Sequence, residues 1–222
     1  MALLLTPTSA FTRDGDTLSI RFVPLFHGTP LSAAEGHSLF SSGDTFSIDQ
    51  LRFYCTNICL KEDENIIWKD ATKYHLIDVS DTASLVVHIG TKWKAKIRLL
   101  KFHLGIDSAT NVSGVLGGDL DPAKGMYWSW QSGYINLKIE GKNVNCEGGK
   151  YRLHLGGYSG SHSAIQGVTI RMSKFKNEVR VGIETSILIE KALHQQKCIV
   201  MIPGRDAVLL SEIASQMFIP IE

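Results

Sequence analysis

Short stretches in which apolar and polar residues alternate recur along most of the chain, and turns rich in Gly, Asn and Ser separate them. Alternation of this kind is typical of strands that bury one face of a sheet. We expect a turn at residues 47–50, before one of the most hydrophobic stretches. The pattern predicts strands over residues 18–25, 51–60, 66–68, 74–79, 84–89, 93–106, 134–140, 151–156, 166–172 and 178–190.

One stretch near the C-terminus has a different period. Val208, Leu209, Ile213 and Met217 recur near helical spacing, and Asp206 can cap a helix that begins there. This predicts a helix over residues 206–218. We find no internal repeat or low-complexity segment, so we predict one domain over residues 1–222, with a flexible N-terminal segment at 1–17. The predicted fold is all-β, a mainly antiparallel β-sandwich with one short C-terminal helix.

Residues 120–141, here called the aromatic segment, stand out from the rest of the chain. Three large rings, Tyr127, Trp128 and Trp130, lie within four residues and precede the strand predicted at 134–140. Aromatic rings are costly to leave in water, so such a cluster marks either a core or the wall of a site.

The net charge and the absence of certain motifs argue against several classes of function. The net charge is +1 and no basic run is present, which argues against a nucleic-acid binder. No apolar run is long enough to cross a bilayer. Nucleophile-elbow, phosphate-loop and HExxH zinc motifs are absent from the sequence, so we do not expect an enzyme.

The four cysteines do not form a zinc pattern. Cys55 and Cys59 are four residues apart in a predicted strand, which places them about 13 Å apart, too far for a mutual disulfide. Each could pair with Cys146 or Cys198, or remain a buried free thiol. Asn111-Val112-Ser113 also matches the glycosylation sequon, a signal that often occurs by chance.

The N-terminus leaves the compartment open. The apolar run at residues 2–5 is too short for a signal peptide, and no charged region precedes it. The chain is therefore interpreted either as a cytosolic protein or as a mature secreted chain.

A series of short motifs resembles the MbnP family of copper-binding proteins associated with methanobactin operons, especially its Bacteroidetes-type branch. The motifs follow the family's order through most of the chain. They lie at residues 43–48 (GDTFSI), 51–54 (LRFY), 57–58 (NI), 74–78 (YHLID), 104–107 (LGID), 111–114 (NVSG), 120–122 (LDP), 125–130 (GMYWSW), 132–134 (SGY), 140–141 (EG), 154–157 (HLGG) and 213–218 (IASQMF).

The resemblance implies a periplasmic or secreted, outer-membrane-associated copper protein. It also implies a partner of the dihaem peroxidase type, similar to MauG or MbnH. The more distantly similar copper proteins CorA and MopE bind copper through two His residues and kynurenine, an oxidised Trp.

On this resemblance we predict His75 and His154 as a pair of copper ligands, because each lies in a family motif and imidazole is a strong copper ligand. His27, which follows the first strand, is a third candidate. Trp128, Trp130 and Trp68 are the candidates for an oxidised aromatic residue near the metal.

Two alternatives remain. Asp107, Asp119 and Asp121 could bind calcium with nearby carbonyl groups, although Asp residues cap turns more often. The chain also ends at residues 219–222 (IPIE) without the His-rich tail that similar family members carry after this motif. This difference favours a metal-free cell-surface interaction module.

Overall fold

A computed structural model describes residues 17–31, 39–41, 44–91, 97–130, 133–172 and 178–221. The predicted flexible segment at 1–17 lies, up to residue 16, outside the described residues. The strands are β1 Thr17–Phe26, β2 Thr29–Pro30, β3 Leu39–Ser41, β4 Asp44–Glu62, β5 Asn65–Lys69, β6 Tyr74–Asp78, β7 Val86–Thr91, β8 Leu99–Leu104, β9 Tyr127–Trp128, β10 Gly133–Asn143, β11 Lys150–Gly156, β12 Gln166–Arg171, β13 Glu178–Glu184, β14 Ile199–Val200 and β15 Phe218–Ile221.

In the described residues, the α-helices between these strands are α1 Ser108–Val112, α2 Ser186–His194 and α3 Arg205–Ala214. Short 3₁₀ turns lie at Gly118–Leu120, Pro122–Lys124, Glu147–Gly149, Gly160–His162 and Ser215–Met217. None of the helices in the described residues is long and apolar enough to cross a membrane.

The strands form two sheets. In the larger sheet the order is β12-β8-β4-β10-β11-β14, with β3, β5 and β6 also paired to β4 and β9 paired to β10. The smaller sheet has the order β15-β13-β1-β2, with β7 also paired to β1. Neighbours are antiparallel except for β1 with β13 and β11 with β14. The predominantly β fold predicted from the pattern is confirmed.

The main core lies where the two sheets face each other. Phe22 of the smaller sheet packs edge-on against Phe53 and Phe102 of the larger one, with ring centroids 5.5 Å and 6.0 Å apart. Phe218 of β15 joins the same cluster. Such edge-to-face pairs add to the apolar burial that stabilises the sandwich.

A second core lies against the opposite face of the larger sheet. The aromatic segment covers Tyr54 of β4 there, and Tyr134 packs edge-on against the Tyr54 ring at 5.9 Å. The buried residues of this second core are Tyr54, Leu76, Ile106, Leu120, Met126, Trp128, Tyr134 and Ile135. The aromatic segment therefore forms a core, as one of its two interpretations proposed.

Several local predictions are wrong. Asp206, which was expected to cap the C-terminal helix, lies inside α3, which begins at Arg205. The expected turn at 47–50 is absent, because β4 runs without a break from Asp44 to Glu62. The strand predicted over 178–190 ends at Glu184, and α2 begins at Ser186. Leu188, Ile189 and Ala192 are buried at helical spacing, which an apolar run alone does not distinguish from a buried strand.

Cys146 and Cys198 form a disulfide, whereas Cys55 and Cys59 are free. The disulfide joins the turn after β10 to the residue before β14, next to the hydrogen bond from Arg152 N to Cys198 O. It thus fixes an outer strand of the larger sheet.

We predict that the double variant Cys146→Ser/Cys198→Ser is less stable. The disulfide closes a loop with a sequence separation of 52 residues, and a loop of this size is worth up to about 4 kcal/mol, or roughly 10 °C in Tm. Calorimetry of the variant checks this, with Cys59→Ser as the matched control. An unchanged Tm would show that the disulfide adds nothing to the fold.

Candidate metal site

The register of the larger sheet decides which side chains share a face. Arg52 of β4 lies opposite Asp78 of β6 and Lys138 of β10, and Lys138 lies opposite His154 of β11. Side chains of opposite residues point to the same face. His154 therefore lies on the face that carries Arg52 and Tyr54, here called the aromatic face.

His75 lies on the other face. It is opposite Cys55 of β4, and Cys55 is three residues from Arg52. Side chains alternate along a strand, so Cys55 and His75 point with Phe53 toward the main core. We call this the core face.

The structure therefore does not bring His75 and His154 together. They are separated by three strand spacings of about 4.8 Å and an offset of about 10 Å along the strands, and they point to opposite faces. In the described part of the chain, no group of three or more His, Cys, Asp or Glu side chains is arranged to hold a metal ion. The His75 and His154 imidazoles are therefore too far apart to bind one metal ion together.

His75 is fixed by a carboxylate and lines a cavity. Its Nε2 lies 2.5 Å from Asp70 Oδ2, while Asp70 Oδ1 accepts a hydrogen bond from Thr72 N. The adjacent cavity, of about 460 Å³, is called the β6 cavity; its ionisable and hydroxyl lining residues are Arg52, His75, Asp78, Asp81, Ser84, Asp119 and Lys124.

Ion pairs and backbone bonds hold the walls of the β6 cavity. Lys124 Nζ lies 2.7 Å from Asp119 Oδ1, and Asp119 Oδ2 accepts a hydrogen bond from Leu76 N. Arg52 lies 2.6 Å from Asp78 and also donates to Lys124 O. The wall that contains the 3₁₀ turn Pro122–Lys124 is therefore tied to β4 and β6.

Cys55 is fully buried directly opposite His75. Burial raises the pKa of the Cys55 thiol well above its usual range, and the nearby Asp70 carboxylate raises it further. The sequence indicated a buried thiol as one alternative, but it contained no signal that β6 would place an imidazole beside it.

His154 is buried on the aromatic face, and its Nε2 lies 2.5 Å from Glu140 Oε1. Burial lowers the pKa of His154; the hydrogen bond to Glu140 offsets part of this, and the Lys138 and Arg152 cations lower the pKa further. The imidazole is therefore neutral at neutral pH, but two cations flank it.

Trp128 covers the strand next to His154. A Cβ atom at Gly156 would lie 2.7 Å from Trp128 Cζ3, and Gly156 is two residues from His154 on the same face. Trp130 is 60% exposed, and its ring centroid is 5.9 Å from that of Trp128. Trp68 lies apart from both, opposite Leu60 at the edge of the main core.

His27 lies in the turn between β1 and β2, in the smaller sheet. Its Nε2 is 2.8 Å from Glu190 Oε1 of α2, and Glu184 accepts hydrogen bonds from the His27 and Gly28 amides. This places His27 away from the strands that carry His75 and His154.

The three Asp residues considered for calcium have local partners. Asp107 caps α1 by accepting from Thr110 N, Asp121 accepts from Ala123 N, and Asp119 pairs with Lys124. Asp107 and Asp121 thus have the turn-capping role that was weighed against calcium in the sequence, whereas Asp119 forms an ion pair.

Asn111 of the sequon is only 3% exposed. Its Nδ2 donates to Ile106 O and Asp107 O, and its Oδ1 accepts from Tyr134 N. Asn111 therefore ties α1 to β10, and its amide is not open to modification in the folded chain.

Comparisons with known proteins agree with this β fold. A family model described as MbnP matches residues 15–201, so the chain belongs to the MbnP family and the resemblance of its motifs is confirmed. The solved structure of MbnP from Methylosinus trichosporium is similar, with a TM-score of 0.57 and 19% identity over 78% of this chain and 77% of that one. At this identity the likeness shows the fold alone. No curated protein matches the chain.

The buried His154 predicts a dependence of stability on pH. Its folded pKa lies below the ordinary value of about 6.5, so the unfolded chain takes up a proton first as the pH falls. The stabilising contribution is complete above pH ~6.5 and is lost as the pH falls through the folded pKa. The Tm of His154→Gln should therefore fall less than that of the native chain when the pH is lowered from about 7.5 to about 5. His103→Gln, at an exposed His, is the control; equal losses in all three chains would contradict the assignment.

Gly156→Ala should displace the Trp128 ring, since its Cβ would also lie 2.8 Å from Tyr134 O. We expect a loss of about 1–3 kcal/mol in the free energy of unfolding and a shift in Trp fluorescence. Gly167→Ala is the matched control, because a Cβ there meets nothing within 4 Å. Identical spectra and stability for both variants would show that Trp128 does not pack on β11.

Proposed function

We propose that this MbnP-family chain is an extracytoplasmic copper-binding protein and that His75 supplies an imidazole ligand at the β6 cavity. The observation that carries the proposal is the His75–Asp70 pair at the cavity wall. A carboxylate that holds one ring nitrogen fixes the tautomer and leaves the other nitrogen for a metal, an arrangement common around metal-binding His. Here Nε2 is held, so Nδ1 is the ligand atom.

Charge favours His75 over His154. Asp78, Asp81 and Asp119 line the β6 cavity, and Arg52 and Lys124 neutralise only part of their charge. His154 instead lies beside Lys138 and Arg152, which oppose the approach of a cation. His27 also has a carboxylate partner, but it lies on an exposed turn.

The disulfide supports the proposed compartment. Disulfides persist in oxidising compartments and are rare in the cytosol, and Cys146 and Cys198 form one here. This favours a periplasmic or secreted location over a cytosolic one.

A dihaem peroxidase of the MauG or MbnH type remains the proposed partner, and the chain itself is proposed as a binding protein without enzymatic activity. Trp130 is the most accessible of the described candidate Trp side chains, whereas Trp128 is buried beneath the aromatic segment. Intact mass after co-expression with such a partner tests whether a Trp is oxidised; an unchanged mass argues against it.

Copper titration of single variants tests the ligand assignment. His75→Ala should weaken copper binding most, and Asp70→Asn should weaken it by about 10–100-fold through loss of imidazole orientation. His103→Ala is the matched control on β8, and His154→Ala and His27→Ala should bind as the native chain does. Competition against a chromophoric chelator and EPR spectra provide the affinities and the ligand type.

The same titrations would also show if the assignment of His75 as the ligand is wrong. A loss confined to His154→Ala would move the site to the aromatic face, beside Trp128. Native affinity in all these variants would reject His75, His154 and His27 as copper ligands. A Tm that rises in calcium relative to chelator would favour the calcium-stabilised alternative.

A further inference from the structure

We propose that Cys55 is a second ligand beside His75, so that the two side chains form a two-coordinate thiolate–imidazole site for a soft monovalent cation, Cu(I). This inference rests on the proposed copper function and specifies the donor set and oxidation state. It concerns a thiol that no motif in the sequence singled out.

The pairing of β4 with β6 places the two side chains next to each other. Cys55 and His75 are directly opposite in the antiparallel pair β4–β6, and opposite Cβ atoms are about 4.5–5.5 Å apart. Bonds as long as those of zinc, about 2.0 Å to nitrogen and about 2.3 Å to sulfur, give a linear N–metal–S unit about 4.3 Å long. Side chains on neighbouring strands at this spacing can close around one ion without moving the backbone.

The donor chemistry selects the ion. Thiolate is a soft ligand that favours Cu(I), and imidazole also binds copper well. A linear Cu(I) ion needs two ligands only, so the site does not require the three-residue group that is absent from the described residues. Asp70 holds His75 Nε2, which leaves Nδ1 of the imidazole for the ion.

Binding leaves the buried site electrically neutral. On binding, the Cys55 S–H bond breaks, an S–Cu(I) bond forms, and the proton leaves to solvent, with no change in the oxidation state of either atom. The thiolate and Cu(I) together are neutral, so the ion replaces the proton without burying an isolated charge. His75 lines the β6 cavity while Cys55 is fully buried, so the ion enters at His75 and ends shielded from water.

The two free cysteines provide a matched test. Cys55 is buried and Cys59, four residues along the same strand, is partly exposed. Anaerobic competition of the full chain with the Cu(I) chelator bicinchoninate should show at least about a 100-fold weaker affinity for Cys55→Ala and Cys55→Ser. Cys59→Ser should keep the native affinity. The Tm and circular dichroism of each apo variant report folding separately.

X-ray absorption of the Cu(I)-loaded Cys59→Ser variant provides a second test that leaves Cys55 unchanged. We expect one sulfur and one nitrogen neighbour of copper. A first shell of nitrogen and oxygen alone would overturn the inference even if the Cys55 variants fail to fold.

The outcomes separate this inference from the proposed function. Native affinity in folded Cys55→Ala combined with weak binding in His75→Ala would reject the thiol ligand and keep the imidazole site. Native affinity in both variants would reject both. Equal losses for Cys55→Ala and Cys59→Ser would show a non-specific thiol effect and would also reject the site.

Discussion

The pairing of β4 along its whole length is the constraint on which the rest of this structure depends. This strand has 19 residues and pairs with β3, β5, β6, β8 and β10. Phe53, Tyr54 and Cys55 are all fully buried, although consecutive residues point to opposite faces. Because both faces of β4 are covered, its register fixes the main core on one side and the aromatic segment on the other.

Polar side chains of the central strands also fix the neighbouring loops by hydrogen bonds to their backbone groups. Thr56 donates to Gly105 O, Asn136 Oδ1 accepts from Ile106 N, and Arg52 holds Lys124 O. Lys138 of β10 likewise donates to Gly125 O. These bonds position α1 and the start of the aromatic segment, so the loops around the β6 cavity depend on residues of the central strands. Buried backbone groups that lack sheet partners are satisfied in this way.

The sequence predicted the β class and most strand positions, because alternation is a local property of one face. It failed at 47–50, where apolar residues at mixed spacings concealed a continuous strand. It failed again at Ser186, where α2 begins within a long apolar run. Motifs identified His75 and His154 as candidates but not their separation, since register between distant strands is not encoded in spacing along the chain. The same limitation concealed the position of Cys55 opposite His75.

Register also separates two kinds of environment that the sequence treats alike. His75 and His154 each have a carboxylate partner at 2.5 Å, and each follows an apolar pattern. On the aromatic face, His154 is buried and neutral, and the Lys138 and Arg152 cations lie beside it. This environment suits a structural residue beneath the aromatic segment. On the core face, His75 meets the Cys55 thiol, and at the edge of β6 it borders a cavity with excess carboxylate. A shift of β6 by one residue would turn His75 to the aromatic face, so the pairing of β6 with β4 determines whether this His is placed to bind a metal.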